Sequence, residues 1–564
     1  METFKIENLS FAYPNQDKWA LNEISLTIHS GEFVTLCGKS GCGKSTLLKS
    51  LKPSLAPFGE KHGAIYFENK PLDILDLREQ TASIGYVLQN PDNQIVTDKV
   101  WHELAFGLEN LGYDNKTIRL RVAEMANFFG IQSWFMKNVS ELSGGQKQLL
   151  NLAAIMAMQP SVIILDEPTS QLDPIAASDF INTIKKINKD LGTTIVLSEH
   201  RLEEIFPISD RIIVMDRGVI IADSTPVEAG KKLKSLNHDM FCAMPPSIRI
   251  CEDLENGLKS SNYPLTVKES RIWIGDLFKD KEIKKPNIEG KNKPLGDEDE
   301  VIELKDVWFR YERQEPDVIQ DLSLKVLKGQ IYAIVGGNGT GKSTALSIIS
   351  GINVPHRGTV KINGKNIKKF KDKEFFYENL GVLPQNPQSI FVEMTVKEEL
   401  YEMFSNSRFN KSKNTETDKF INEVIDLMEI RNLLNMHPYD LSGGEQQKVA
   451  FAKVMLLKPK IILLDEPTKA LDSHFKIKFA DILKTLKSQG VTILLVSHDI
   501  EFCAEYADVC SLFFNGSIVT TNTPNKFFSG NAFYTTFSNR MTRHIFNNAI
   551  TVEDVVKLCR QNLR

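Results

Sequence analysis

The sequence predicts an α/β protein made of two tandem copies of one domain, each a mostly parallel, doubly wound sheet interrupted by a helical insertion. Three observations carry this expectation. The run Gly38-Lys39-Ser40-Gly41-Cys42-Gly43-Lys44-Ser45 fits the phosphate-loop pattern G-x-x-x-x-G-K-[ST], and it returns at Gly336 to Ser343. Lys44, Gln89, Ser143, Asp166 and His200 recur as Lys342, Gln385, Ser442, Asp465 and His498, at a near-constant spacing of about 300 residues. Short apolar strands alternate with helical periodicity in both halves.

Each copy opens on strand-like segments, Phe4-Lys5-Ile6 and Val301-Ile302-Glu303-Leu304. The phosphate loop then follows a buried-strand pattern, Phe33-Val34-Thr35-Leu36 or Ile331 to Val335, and precedes a helical run. By average residue usage the four fixed positions would match by chance in about 2 chains of this length in 100. Two matches in the right setting therefore point to nucleotide. The glycines let successive N–H groups turn toward a polyphosphate, and the helix N-terminus adds partial positive charge. Lys44 and Lys342 are placed to reach the β- and γ-phosphates, and Ser45 and Ser343 to ligate Mg²⁺.

A Gln-Asn-Pro turn comes next, and then mainly helical stretches from Lys99 to Phe129 and from Lys397 to Leu434. The strands Val162-Ile163-Ile164-Leu165 and Ile461-Ile462-Leu463-Leu464 each end in two acids, Asp166-Glu167 and Asp465-Glu466. Two carboxylates behind four apolar residues are costly unless a cation sits at the strand end. Asp166 and Asp465 suit the Mg²⁺ shell, and Glu167 and Glu466 suit a general base for water. Leu142-Ser143-Gly144-Gly145-Gln146 and Leu441-Ser442-Gly443-Gly444-Glu445 open helices, where a hydroxyl and two glycines make either an anion-binding nest or an ordinary cap.

The expected domains are residues 1–225 and 301–525, with an appendage and charged linker at 226–300 and a helical tail at 526–564 that has no counterpart in the first copy. Apolar material from Thr225 to Gly275 is expected to belong to the first domain. Lys279 to Glu300 reads as solvated linker. Thr551 is expected to cap a packing helix, with Glu553-Asp554 in its first turn.

Composition narrows the partners. The 564 residues carry a formal net charge of −4, which gives no polyanion-binding signature and sets nucleic acid aside. No apolar run approaches the length of a membrane span, and the N-terminal residues show no signal region. Seven cysteines without metal-like spacing read as reduced thiols, Cys37 and Cys42 among them as small apolar filler beside the first phosphate loop.

With its phosphate loops, glutamine turns, Ser-Gly-Gly motifs, Asp-Glu strands and histidines in order, the chain resembles a tandem ATP-binding-cassette (ABC) ATPase over roughly Met1 to Asp223 and Val301 to Thr520. The resemblance implies a parallel-sheet core, an antiparallel β subdomain and a helical insertion in each domain. It also implies head-to-tail pairing of the two domains within the chain. One ATP then lies between Gly38–Thr46 (Gly38, Lys39, Ser40, Gly41, Cys42, Gly43, Lys44, Ser45, Thr46) and Ser442-Gly443-Gly444. The other lies between Gly336–Thr344 (Gly336, Gly337, Asn338, Gly339, Thr340, Gly341, Lys342, Ser343, Thr344) and Ser143-Gly144-Gly145. Tyr13 and Tyr311 match the aromatic that stacks on adenine. Gln89 and Gln385 match the glutamine that touches Mg²⁺. His200 and His498 match the histidine at the γ-phosphate. Gln171 and Lys469 depart from the family pattern in the loop after the catalytic acid, which puts equal turnover at the two sites in doubt.

Gln89 to Val96, Ala105 to Asn110 and Ser198 to Glu204 further resemble the energy-coupling-factor (ECF) importers. That resemblance implies a peripheral subunit at the cytoplasmic membrane face, bound to a membrane scaffold and a substrate-binding membrane subunit, serving uptake of a vitamin, a vitamin precursor or a metal ion. Two alternatives share the tandem layout. One is a soluble ABC translation factor on ribosomes, which the mixed-charge, Pro-containing linker disfavours. The other is a tandem sugar-importer ATPase.

Overall fold

In the computed structural model, residues 1–14, 18–254, 263–279, 281, 283, 300–370, 379–405 and 415–563 are described. The chain divides into two units, Met1–Thr266 and Val267–Arg564. In the first, a six-stranded sheet runs in the order Ile84–Val87, Val162–Asp166, Thr194–Ser198, Phe33–Gly38, Arg211–Asp216, Val219–Ser224. All neighbours are parallel except the last pair. The second unit repeats this order with Leu380–Leu383, Ile461–Asp465, Thr492–Val496, Ile331–Val335, Val509–Phe514 and Ser517–Asn522.

Both faces of each sheet are covered, which explains why its strands are apolar without alternation. Val34, Leu36, Val162 and Ile164 pack into one core, and Phe33, Ile163, Leu165 and Ile195 into another. A four-stranded antiparallel sheet sits on the first of these cores. It contains Glu2–Ala12 and Leu21–His29, and the second unit has its equivalent in Glu300–Phe309 and Ile319–Leu327. The helical insertions are Val100–Asn110 with Asn115–Phe128, and Val396–Ser405 with Thr415–Met428. The parallel sheet, the antiparallel subdomain and the insertion are therefore all present in both copies.

Two differences from the sequence reading concern the segments outside the shared core. Helix Val267–Leu277 belongs to the second unit, where it packs on Phe537–Thr542 and Phe278 meets Phe546 edge-on at 5.4 Å. Its apolar face, with Ile274 fully buried, shows that it packs but not on which core. The tail also has a counterpart at its start. Thr225 leads from strand Val219–Ser224 into helix Pro226–Ser235, just as Thr523 leads from Ser517–Asn522 into Pro524–Gly530. The expected cap at Thr551 is present, its hydroxyl accepting from Asp554 N at 3.1 Å ahead of helix Val552–Leu563. Most of the expected linker, Lys279 to Glu300, lies outside the described residues.

Candidate active site

Both phosphate loops run from the end of a central strand into a helix, Lys44–Ser50 or Lys342–Ile349. Gly43 has φ 103°, and a Cβ there would lie 2.5 Å from the Ala20 carbonyl oxygen, so no other residue fits the turn. The Lys44 ammonium is buried and donates to the carbonyls of Gly38 at 2.9 Å and Lys39 at 3.1 Å. Lys342 does the same toward Gly336 at 3.1 Å and Gly337 at 2.7 Å. Hydrogen bonds to neutral carbonyls leave the ammonium its charge to offer an anion. Tyr13 and Tyr311 stand over the loop ends, their hydroxyls 2.9 and 3.0 Å from the Thr46 and Thr344 hydroxyls.

Asp166 closes its strand behind the first loop. Its Oδ1 accepts from Ser45 at 3.0 Å and Ser198 at 2.8 Å, and its Oδ2 accepts from Tyr86 at 3.4 Å. Burial raises its pKa, opposed by the Ser198 and Ser45 hydroxyls. Burial also raises that of Asp465, opposed by Ser343. Val382 and Val496 stand where the first unit has Tyr86 and Ser198, and Asp465 Oδ1 is buried without a hydrogen-bond partner.

Glu167 follows Asp166 with φ 46°, and Glu466 follows Asp465 with φ 52°. The left-handed region costs a non-glycine residue about 1–2 kcal/mol. Both backbones are pinned there by hydrogen bonds to the neighbouring strand, Glu167 N to Ser198 O and Glu466 N to Val496 O. The turn aims each carboxylate across the strand ends. In the first unit Gln89 Nε2 donates to Glu167 Oε2 at 2.8 Å, and His200 Nε2 lies 2.8 Å from Glu167 Oε1. The second unit brings together Glu466 and His498, with Nε2 3.0 Å from Oε1, while Gln385 is exposed. Burial pushes Glu466 up to about 7, against the opposing pull of the His498 backbone N–H and Lys342.

Ser143 and Ser442 are N-caps of helices Gly144–Ala157 and Gly443–Leu456, each in a capping box with Gln146 or Glu445. Both serines are exposed. Gly145 passes close to Ala176, a Cβ there falling 3.1 Å from the alanine Cβ. Cys37 and Cys42 are buried, and burial pushes the Cys37 thiol up to about 12, as expected of filler.

The sequence profile of the ABC transporter family matches residues 21–170 and again residues 319–469, together more than half the chain. The chain is a tandem ABC ATPase. Its relatives agree along its length. An ABC transporter ATP-binding protein of Bacillus anthracis, so named provisionally, is 39% identical over 559 residues, 99% of this chain and 98% of its own. A Bacillus subtilis protein provisionally named HMP/thiamine import ATP-binding protein YkoD is 31% identical over 544 residues, 94% of this chain and 93% of its own. A solved structure described as cbiO1 from Clostridium perfringens, part of the ABC transporter complex cbiONQ, is 33% identical over 42% of this chain and 93% of its own, with a TM-score of 0.38. This tandem ABC ATPase is thus an ATP-binding, ATP-hydrolysing subunit of an ABC transporter.

Sequence reading passed over several residues of this ABC ATPase that line the site. Ser198, Tyr86, Thr169 and Glu199 surround the Asp-Glu pair, and Asp239 reaches the phosphate loop, its Oδ2 2.6 Å from Lys39 Nζ. Aligning the two copies offers a signal for three of them, because Ser198-Glu199-His200 stands opposite Val496-Ser497-His498 and Tyr86 opposite Val382, whereas Thr169 stands opposite an identical Thr468. Nothing local marks Asp239.

Proposed function

We propose that this chain drives an ECF-type importer, coupling ATP binding and hydrolysis at two composite interdomain sites to uptake of a vitamin, a vitamin precursor or a metal ion through separate membrane subunits. The observation that carries the enzymatic half is the Glu167 carboxylate held between Gln89 and His200 at the strand ends. The importing half is supported by the relative named for HMP/thiamine import. It is also supported by exposed apolar side chains around both glutamine turns, Val96, Trp101 and Met136 in one unit and Val392, Met394 and Tyr439 in the other. These faces suit the helices of a membrane scaffold subunit, with a substrate-binding membrane subunit beside it. Among the described residues no helix is long and apolar enough to cross a membrane. In this reading the chain attaches peripherally, at the cytoplasmic face, through those subunits.

In this reading Tyr13 or Tyr311 stacks on adenine, and the loop residues Gly38 to Thr46 or Gly336 to Thr344 wrap the phosphates. The signature Ser442-Gly443-Gly444 or Ser143-Gly144-Gly145 of the other domain closes over them. Glu167 or Glu466 accepts a proton from water as its oxygen attacks the γ-phosphorus. The bond to the β,γ-bridging oxygen breaks and ADP leaves. His200 or His498 steadies the glutamate and the γ-phosphate. Ser45, Gln89 and Asp166, or Ser343, Gln385 and Asp465, would hold Mg²⁺. The unpartnered, buried Asp465 Oδ1 fits that ion. When bound, Mg²⁺ neutralises charge on the β- and γ-oxygens.

The test is Glu167→Gln combined with Glu466→Gln in the full chain. ATP should still bind, and phosphate release should fall by at least about 10². Normal release by the double variant would reject both base assignments.

A further inference from the structure

We infer that Glu199 is a positioning residue: it clamps the loop after Glu167 to the loop that carries His200, in the first unit only. The inference deepens the proposed function and rests on the roles given there to Glu167 and His200.

Glu199 is 2% exposed and sits between the end of strand Thr194–Ser198 and His200. Its Oε1 accepts from Thr169 N at 3.1 Å and from the Thr169 hydroxyl. Its Oε2 accepts from His200 N at 2.9 Å and, at longer range, from Arg201 N at 3.4 Å. All four donors are neutral and both oxygens are engaged. Such charge-assisted bonds are stronger than neutral ones, and more so in a buried setting.

The two ends of the clamp are the two loops that carry the catalytic pair. Thr169 is two residues beyond Glu167, in a turn closed by Ser170 N to Glu167 O at 3.2 Å and Leu172 N to Thr169 O at 3.0 Å. Asp173 ends that turn by capping helix Pro174–Leu191 through Ala176 N at 2.7 Å. The contacts form a ring, from Glu167 through Thr169, Glu199 and His200 back to Glu167. Fixing three sides of the ring fixes the fourth, the approach of the histidine to the base.

The second unit lacks the clamp. Ser497 takes the place of Glu199, its hydroxyl 3.5 Å from that of Thr468 and accepting from Asp499 N at 3.0 Å. The His498 N–H, whose counterpart in the first unit goes to Glu199, donates to Glu466 Oε2 at 3.1 Å. In the second unit the base itself therefore takes a fixed backbone bond that Glu199 absorbs in the first. A hydrogen bond to the carboxylate makes it a weaker proton acceptor. Glu199 thus holds the geometry and keeps the backbone off the base.

The experiment uses the full chain in a Glu466→Gln background, so that the first site is read alone. Glu199→Gln keeps the shape but sets an amide N–H₂ against the clamp's own donors. Thr169→Val removes one donor and leaves the carboxylate. ATP affinity is measured at equilibrium and turnover as phosphate release. Glu199→Gln should lower kcat about tenfold or more, toward the ~10² that misplacement of reacting groups can cost, with ATP Kd within about twofold. Thr169→Val should lower kcat less, and its effect should vanish once residue 199 is glutamine. Unchanged kcat, a loss of affinity as large as the loss of rate, or full additivity of the two substitutions overturns the inference. If Glu199→Gln does not fold, Thr169→Val decides alone, and an unchanged kcat or an equal loss of affinity overturns the inference. Glu167→Gln is measured alongside. Normal turnover there removes the base assignment and this inference with it, whereas an inactive Glu167→Gln beside a normal Glu199→Gln removes this inference only.

Discussion

Replacing Lys453 by methionine should destabilise the second unit through one identifiable group. The Lys453 and Glu399 side chains are 6% and 0% exposed and form an ion pair between helices Gly443–Leu456 and Val396–Ser405. Lys453 also donates to Ile390 O at 2.8 Å, and Glu399 Oε1 accepts from Val392 N at 2.5 Å and Glu393 N at 2.6 Å. Without the lysine, Glu399 Oε2 loses its cation, and a second acid stays near, since Glu402 Oε2 lies 3.7 Å from the Lys453 ammonium. Breaking one side of a buried pair costs about 3–5 kcal/mol. The first unit argues for the lower end. There the buried Glu103 accepts from Val96 N at 3.2 Å and Thr97 N at 2.8 Å, with Ala154 at the position of Lys453, so two N–H groups sustain a carboxylate alone. About 3 kcal/mol corresponds to a change of about a hundredfold in the opening equilibrium. Amide exchange in strand Ile461–Asp465 reads that equilibrium for the second unit. Adding Glu399→Gln should recover most of the loss, because the amide oxygen still accepts the two N–H groups and no charge is stranded. A cost below about 1 kcal/mol, or a double variant no better than the single, would refute this account.

Two further predictions concern turnover and docking. Burial raises Glu466 from its ordinary value of 4.5 to about 7, so the fold favours its protonated form. The stability this contributes is full below the unfolded value and is lost as pH rises through about 7, while the carboxylate becomes able to act as the proposed base over the same rise. In a Glu167→Gln background, kcat/KM for ATP should therefore fall about tenfold per pH unit below 7, and a flat profile between about pH 6 and pH 8 would contradict it. At the glutamine turn, Asp92→Ala removes an ion pair to Lys147 of 2.6 Å, with Asp92 largely exposed. Stability should change by less than about 1 kcal/mol and ATP affinity little, while copurification of a membrane scaffold subunit weakens. Unaltered copurification would remove this face from the docking proposal.

What the sequence made legible was what local geometry dictates. The phosphate loops, capped helices and Asp-Glu strand ends each need a short pattern of residue types, and each stands where that pattern put it. Their duplication in register also implied that both copies share one topology, while the strand order itself came from the structure. The rest depended on partners distant in the chain. Val267–Leu277 shows an apolar face, but periodicity cannot name the core that receives it. The positive φ of Glu167 and Glu466 is invisible because neither residue type favours it, and the backbone is held there by the neighbouring strand. Glu199 entered the sequence reading only within the Ser198 to Glu204 resemblance, and its role as an acceptor of four donors depends on Thr169, distant in the chain.

The two units share one backbone topology, so differences between their sites must come from side chains. Around Asp166 the hydroxyls of Ser45, Ser198 and Tyr86 offset the cost of burying a carboxylate. Around Asp465 two of those positions are Val382 and Val496, and Oδ1 is left bare. An orphaned buried oxygen costs on the order of 1–3 kcal/mol. A cation at the proposed site relieves that cost in the second unit, whereas in the first it competes with hydroxyls already in place. The glutamates differ as well. Glu167 meets two side chains, Gln89 and His200, while Glu466 accepts a backbone N–H. At the aspartates the first unit satisfies its carboxylate with its own hydroxyls, whereas in the second a bound cation would supply more of the stabilisation. Duplication of one fold yields two ATP sites of unequal character without any change in the sheet that carries them.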